Sequence, residues 1–201
     1  MRTIFLATAG VKHFCAKLYK ITPSHRLWVS NMQAEQIRDR LNFVGDDTAI
    51  QLKLLDRRTL SELDCSEVAR HFLALPKDDR LLRFMRRMEV HDLRQYALQL
   101  MSKAHAVGLA VYEGRTLAVA ELYVSPGNPT AELAISVDVA ARRRGIGRAL
   151  VSRLIDVAKR SSATDVRATT LLENTPARRL LMKCGFSLRC AGEECEARLV
   201  L

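Results

Sequence analysis

"ARRRGIGRAL", residues 141–150, sets three arginines beside two glycines two positions apart and then runs straight into an apolar-periodic segment. Adjacent like charges repel and glycine is a poor helix former, so this junction needs a compensating partner. The continuation, GIGRALVSRLIDVAKRSS, places Ile146, Leu150, Leu154, Ile155 and Ala158 at helical spacing. A helix that starts here opens with free backbone N–H groups and about half a positive charge from aligned peptide dipoles. Gly145 and Gly147 leave the backbone open to an approaching anion, and Arg142, Arg143, Arg144 and Arg148 add charge and donors. A strand–loop–helix junction of this kind suits a phosphate. It is not a P-loop, since no G-x-x-x-x-G-K-[ST] run exists. It also lacks the third glycine of a dinucleotide fold.

Upstream of the turn the period is two. Residues 104–114, 116–124 and 130–137 read as three strands. Gly114-Arg115 is a tight turn between the first two, and SPGNP (125–129) is a loop before the third. Such short connections make an antiparallel meander. Before it, AIQLKLL (49–55) alternates as a strand, and three helices follow in RTLSELDCSEVARHFLAL, PKDDRLLRFMRRM and HDLRQYALQLMSK. After the glycine helix come a strand, DVRATTLL, and a helix in NTPARRLLMKCG capped by Asn174 and stopped at Gly185. FSLRCAG and CEARLVL close the chain as a hairpin.

Two segments together carry a family resemblance. Arg142-Arg143-Arg144-Gly145-Ile146-Gly147 is similar to the [RQ]-x-x-G-x-[GA] acyl-CoA signature of the GNAT superfamily, the GCN5-related N-acetyltransferases. ENTPARRLLMKCGF (173–186) resembles that family's N-x-x-A…G-F segment through Asn174, Ala177, Gly185 and Phe186. The order of elements over residues 49–201 is also the family's order. The resemblance implies an α/β (α+β) fold, with a mixed, mostly antiparallel, splayed central sheet flanked by helices. It implies acetyl-CoA, or another short acyl-CoA, as co-substrate. Backbone N–H groups of residues 143–148 would bind the pyrophosphate, and Ile135, Ser136 and Val137 would pair with the pantetheine arm, which Asn174 would also contact. Many relatives carry a tyrosine four residues before the Gly-Phe glycine as general acid, and Leu181 stands there.

Acyl transfer to an amine needs the neutral amine, and deprotonating a lysine-like amine at pH 7 costs about 4–5 kcal/mol. A positioned base is therefore expected. Glu132 lies in AELAISV, on the strand that leads into the turn, sharing a face with Ala134 and Ser136. It resembles the base on the matching strand of protein-lysine acetyltransferases, and Glu121 in AELYV is the second candidate. His71 and His91 lie in helices that would border the acceptor but read as surface residues, and DDRLLRFMRR reads as a solvated helix face. The expected acceptor is a primary amine, on a small molecule or a protein lysine. A CoA-binding regulatory or catalytically degenerate domain is the alternative.

Composition bounds the rest. The 201 residues suit one domain with an appendage, and a net charge of +10 favours anionic partners. Aromatic residues at 5% and the lack of a nucleic-acid-binding motif argue against nucleic acid. No apolar run nears the ~20 residues of a membrane span. TIFLATAGV is too short for a signal peptide and is followed closely by Lys12. Cys15, Cys65, Cys184, Cys190 and Cys195 are scattered with no C-x-x-C, which predicts reduced thiols in a cytoplasmic protein. No metal-ligand spacing appears among the histidines. Residues 1–48, with seven basic residues against two acids in the first 40, read as an appendage containing a helix from Ser30 to Val44. The terminal hairpin could exchange between subunits in a homodimer.

Overall fold

The computed structural model describes the backbone of residues 39–41 and all of residues 50–201. Strands β1 (Asp39–Leu41) and β2 (Ile50–Asp56) precede helices α1 (Glu62–Ala74), α2 (Lys77–Phe84) and α3 (Val90–Lys103). The meander β3 (Ala106–Tyr112), β4 (Arg115–Val124) and β5 (Thr130–Val137) follows, then a short 3-10 turn at Val139–Ala141 and α4 (Ile146–Lys159). β6 (Asp165–Leu171), α5 (Thr175–Lys183), β7 (Ser187–Ala191) and β8 (Glu194–Val200) complete the order. The sheet runs β1-β2-β3-β4-β5-β6-β8-β7, and every pairing is antiparallel except β5 with β6.

Local sequence explains the helix starts. Ser61 caps α1 and exchanges bonds with Asp64 in a capping box, and Asn174 caps α5 with Pro176 in its first turn. The central strands are buried on both sides, so one sheet carries two cores. On one face Leu150, Val151 and Leu154 of α4 pack against Ala118, Ala120, Leu122 and Leu133. On the other, Val68 and Phe72 of α1 and Leu93 and Leu100 of α3 pack against Val107, Leu109 and Val119.

The structure corrects four sequence expectations. Asp39–Leu41 is a strand hydrogen-bonded to β2, not part of a helix, because its residues register against Ile50–Leu52. The remainder of that expected helix lies outside the described residues. The β3–β4 turn falls on Glu113-Gly114, since Arg115 is already paired with Tyr112. His71 is buried rather than on the surface. Finally, Cys190 and Cys195 form a disulfide, with Cα atoms 4.0 Å apart. A two-residue turn at Gly192-Glu193 sets a hairpin register that puts these cysteines opposite each other. Cysteine spacing alone does not contain that register. Cys65 and Cys184 are free thiols among the described residues.

Candidate active site

The parallel pairing of β5 and β6 covers only Thr130–Glu132 against Asp165–Arg167. Beyond Glu132 the two strands part. The N–H of Asp138 donates to Leu117 O at 2.8 Å, and the β4–β5 register runs without a bulge. Alternation then turns the backbone groups of Glu132, Ala134 and Ser136 toward β4. Those of Leu133, Ile135 and Val137 face the side that β6 has left. Past the last β5–β6 pair a slot edged by backbone groups that bond to no strand is therefore built into β5, with Val137 O there accepting from Arg142 Nε.

At the end of this slot lies the glycine turn. Gly145 is the N-cap of α4 with φ of +77°, a left-handed conformation that side-chain-bearing residues resist, and Arg143 shares it at +59°. A Cβ on Gly145 would meet nothing within 4 Å, so this side of the turn is open. Gly147 has a different reason. A Cβ there would come 3.1 Å from Leu180 Cδ2 and 3.5 Å from Val137 Cγ2, so its absence lets α4 seat against α5 and β5. The first intrahelical bond of α4 is donated by Ala149 to Gly145 O. The amides of Ile146, Gly147 and Arg148 thus have no helical partner. Arg143, Arg144 and Arg148 are exposed around them.

Three predicted site residues have their groups engaged within the protein. Arg142 Nε donates to Val137 O at 3.2 Å, and its Nη2 pairs with Asp79 of α2 at 2.9 Å. Asn174 Oδ1 accepts the Ala177 N–H as the cap of α5. Ser136 turns its backbone to β4, and its Oγ lies 2.9 Å from His71 Nε2. The other imidazole nitrogen faces Thr116 O at 3.3 Å. A carbonyl only accepts, so Nδ1 carries the proton and Ser136 donates to Nε2. Burial pulls His71 down to about 4, which keeps it neutral. The pair ties α1 to β5 beneath the slot.

The two candidate carboxylates differ in surroundings. Glu121 has no exposed surface and accepts from Arg83 at 2.7 Å, Tyr96 at 2.5 Å and Tyr123 at 2.8 Å. The Arg83 guanidinium sits over Phe84, 4.8 Å from the ring centroid, with Phe72 and Tyr96 close by. With three donors on its carboxylate, Glu121 ties β4 to α2 and α3. Its partners on α2 and α3 stand 38 and 25 residues away, beyond the reach of local pattern. Glu132, by contrast, is half-buried where β5 and β6 part, opposite Tyr123 on β4 and Arg167 on β6. Burial pushes its carboxyl above the usual glutamate range, and the Arg167 charge partly opposes this. Arg167 is itself held by Asp165, 3.1 Å from its Nε.

Leu181 is buried in the core shared by α4 and α5. No described helix is long and apolar enough to cross a membrane.

The family model described as the Acetyltransferase (GNAT) family matches residues 62–186. Among solved structures, the GNAT domain of S. lividans PAT is similar at 15% identity and a TM-score of 0.63, over 76% of this chain and 91% of that one. YncA from Salmonella typhimurium, a putative acetyltransferase solved with its cofactor acetyl-CoA, is similar at 18% identity and a TM-score of 0.57, over 75% and 94%. The ribosomal-protein-S5-alanine acetyltransferase of Vibrio fischeri is similar at 16% identity and a TM-score of 0.58, over 75% and 92%.

Proposed function

This chain belongs to the GNAT acetyltransferase family, and from that premise we propose that it moves an acetyl group from acetyl-CoA to a primary amine, with Glu132 as general base. One observation carries the reading. A half-buried glutamate stands where two strands part, at one end of a slot whose other end is a helix start with open amides. The amides of residues 143–148, with Arg143, Arg144 and Arg148, would hold the pyrophosphate. The slot-facing backbone of Leu133, Ile135 and Val137 would receive the pantetheine arm, and Asn174 has its amide nitrogen left to contact it.

At the reacting end, Glu132 accepts a proton from the incoming ammonium, directly or through one water. Its raised proton affinity narrows the gap to the amine and suits that exchange. The neutral amine attacks the thioester carbonyl, whose developing negative charge the slot-facing N–H groups can meet. The C–S bond then breaks, CoA leaves as a thiolate, and the proton that the nitrogen sheds on becoming an amide passes through water to that thiolate or to solvent. Leu181, buried, supplies no proton to it. Structural neighbours named as ribosomal-protein acetyltransferases keep protein amines beside small-molecule amines as acceptors. The absence of an acid at Leu181 favours a second reading, a CoA-binding regulatory domain without turnover.

Glu132→Gln separates these roles. It should lower kcat by about 10²–10⁴ at neutral pH while leaving CoA affinity nearly unchanged. The measurement is free-thiol release across an amine panel, with CoA binding followed by calorimetry. Undiminished turnover would remove Glu132 from the base role, and CoA binding with no acetylated product from the unaltered protein would favour the regulatory reading.

A further inference from the structure

Helix α2 has no fully buried residue, yet it packs on both β5 and β6 at the strands that part. Two ion pairs hold it. Near its C-terminus Arg83 reaches Glu121 at 2.7 Å, with side chains only 10% and 0% exposed. Near its N-terminus Asp79 meets Arg142 at 2.9 Å, with side chains 18% and 34% exposed. The first pair is sealed from solvent, while the second is shallow and open to change.

Arg142 has a second bond, from Nε to Val137 O. Val137 is one of the residues whose backbone faces the slot. Arg142 also stands immediately before the left-handed Arg143 that opens the glycine turn. One guanidinium thus touches the slot wall and α2 together, at the mouth of the turn.

We propose that the Arg142–Asp79 pair couples the acyl-donor site to α2. An arm seated along Val137 and a diphosphate on the turn fix Arg142, and through Asp79 they fix α2 over the reacting end. Donor binding and acceptor binding are then linked, and by thermodynamic necessity the linkage is reciprocal. Arg142 acts here as a positioning residue, since its guanidinium has five N–H donors and can keep Asp79 while a phosphate arrives. The inference rests on the acyl-CoA reading of the site.

Hydrogen–deuterium exchange of the α2 amides, with and without CoA, tests it in three forms of the full chain, and calorimetry runs in parallel. In the unaltered protein CoA should slow α2 exchange by about fivefold or more, the lower end of ordinary coupling. In Asp79→Asn, CoA should bind within about threefold of the original affinity while this slowing disappears. Asp79→Glu, which keeps the charge, should restore part of it. If CoA binds the unaltered protein and α2 exchange does not change, or if Asp79→Asn is protected equally, the coupling is overturned while the site reading stands. If calorimetry detects no CoA binding at all, the site reading fails and takes the coupling with it.

Discussion

At the scale of single residues, two glutamates and a histidine on the face that carries Glu132 have separate tasks. Glu121 is paired with Arg83, His71 is kept uncharged by burial, and Glu132 is a carboxylate with raised proton affinity where the strands part. His71 makes a prediction about stability. Its folded value near 4 lies below the ordinary 6.5, so as pH falls from 6.5 the unfolded chain takes up a proton that the folded chain refuses. The contribution of His71 is fully present above 6.5 and is lost progressively down to about 4. About 2 kcal/mol should be gone by pH 5, out of roughly 3 kcal/mol in all. Urea denaturation at pH 7 and pH 5 measures this, with His71→Gln as the comparison that lacks the group. An equal pH dependence in both proteins would show that His71 is not the source. Strand alternation alone puts Glu132 on one face with Ala134 and Ser136. The sequence misjudged His71 and ranked Glu121 second without its partners in view, because the contacts of His71 and Glu121 come from residues 65 and 38 positions away.

At the scale of elements, the glycine turn was the most legible feature, since its demands are local. Gly145 is needed for its left-handed backbone, and Gly147 for the close approach of Leu180 and Val137. The sequence suggested one reason for both, an open path for an anion, and the structure divides it. Gly145→Ala should cost about 1–2 kcal/mol from the left-handed penalty, since its Cβ meets no neighbour. It should also weaken CoA binding by tilting the first amides of α4. Thermal unfolding and calorimetry on the same sample check both effects. An Ala variant as stable and as CoA-competent as the original would contradict the assignment. The β7–β8 disulfide and strand β1 were illegible for a shared reason. Each depends on pairing register, which short-range composition does not determine.

At the scale of the whole molecule, the sheet works as a frame that opens on purpose. Among the described residues seven strand pairings hold it together, and the one parallel pairing there is cut short after Glu132. The amphipathic α4 pins β3, β4 and β5 from one face, and α1 and α3 pin the other, so the gap does not collapse. The order of elements could be read from the alternation of periods two and 3.6, while the splayed sheet came only from the family resemblance. The depth of the gap could not, because it depends on where β5 and β6 cease to register. Three of the chain's 32 basic residues, Arg143, Arg144 and Arg148, cluster exposed at the turn. The account turns on that corner, and a crystal structure of the protein with acetyl-CoA tests it most directly. The diphosphate should lie against the amides of residues 143–148, with the thioester beside Glu132 in the gap between β5 and β6. A diphosphate bound anywhere else, with those amides turned to solvent, would contradict it.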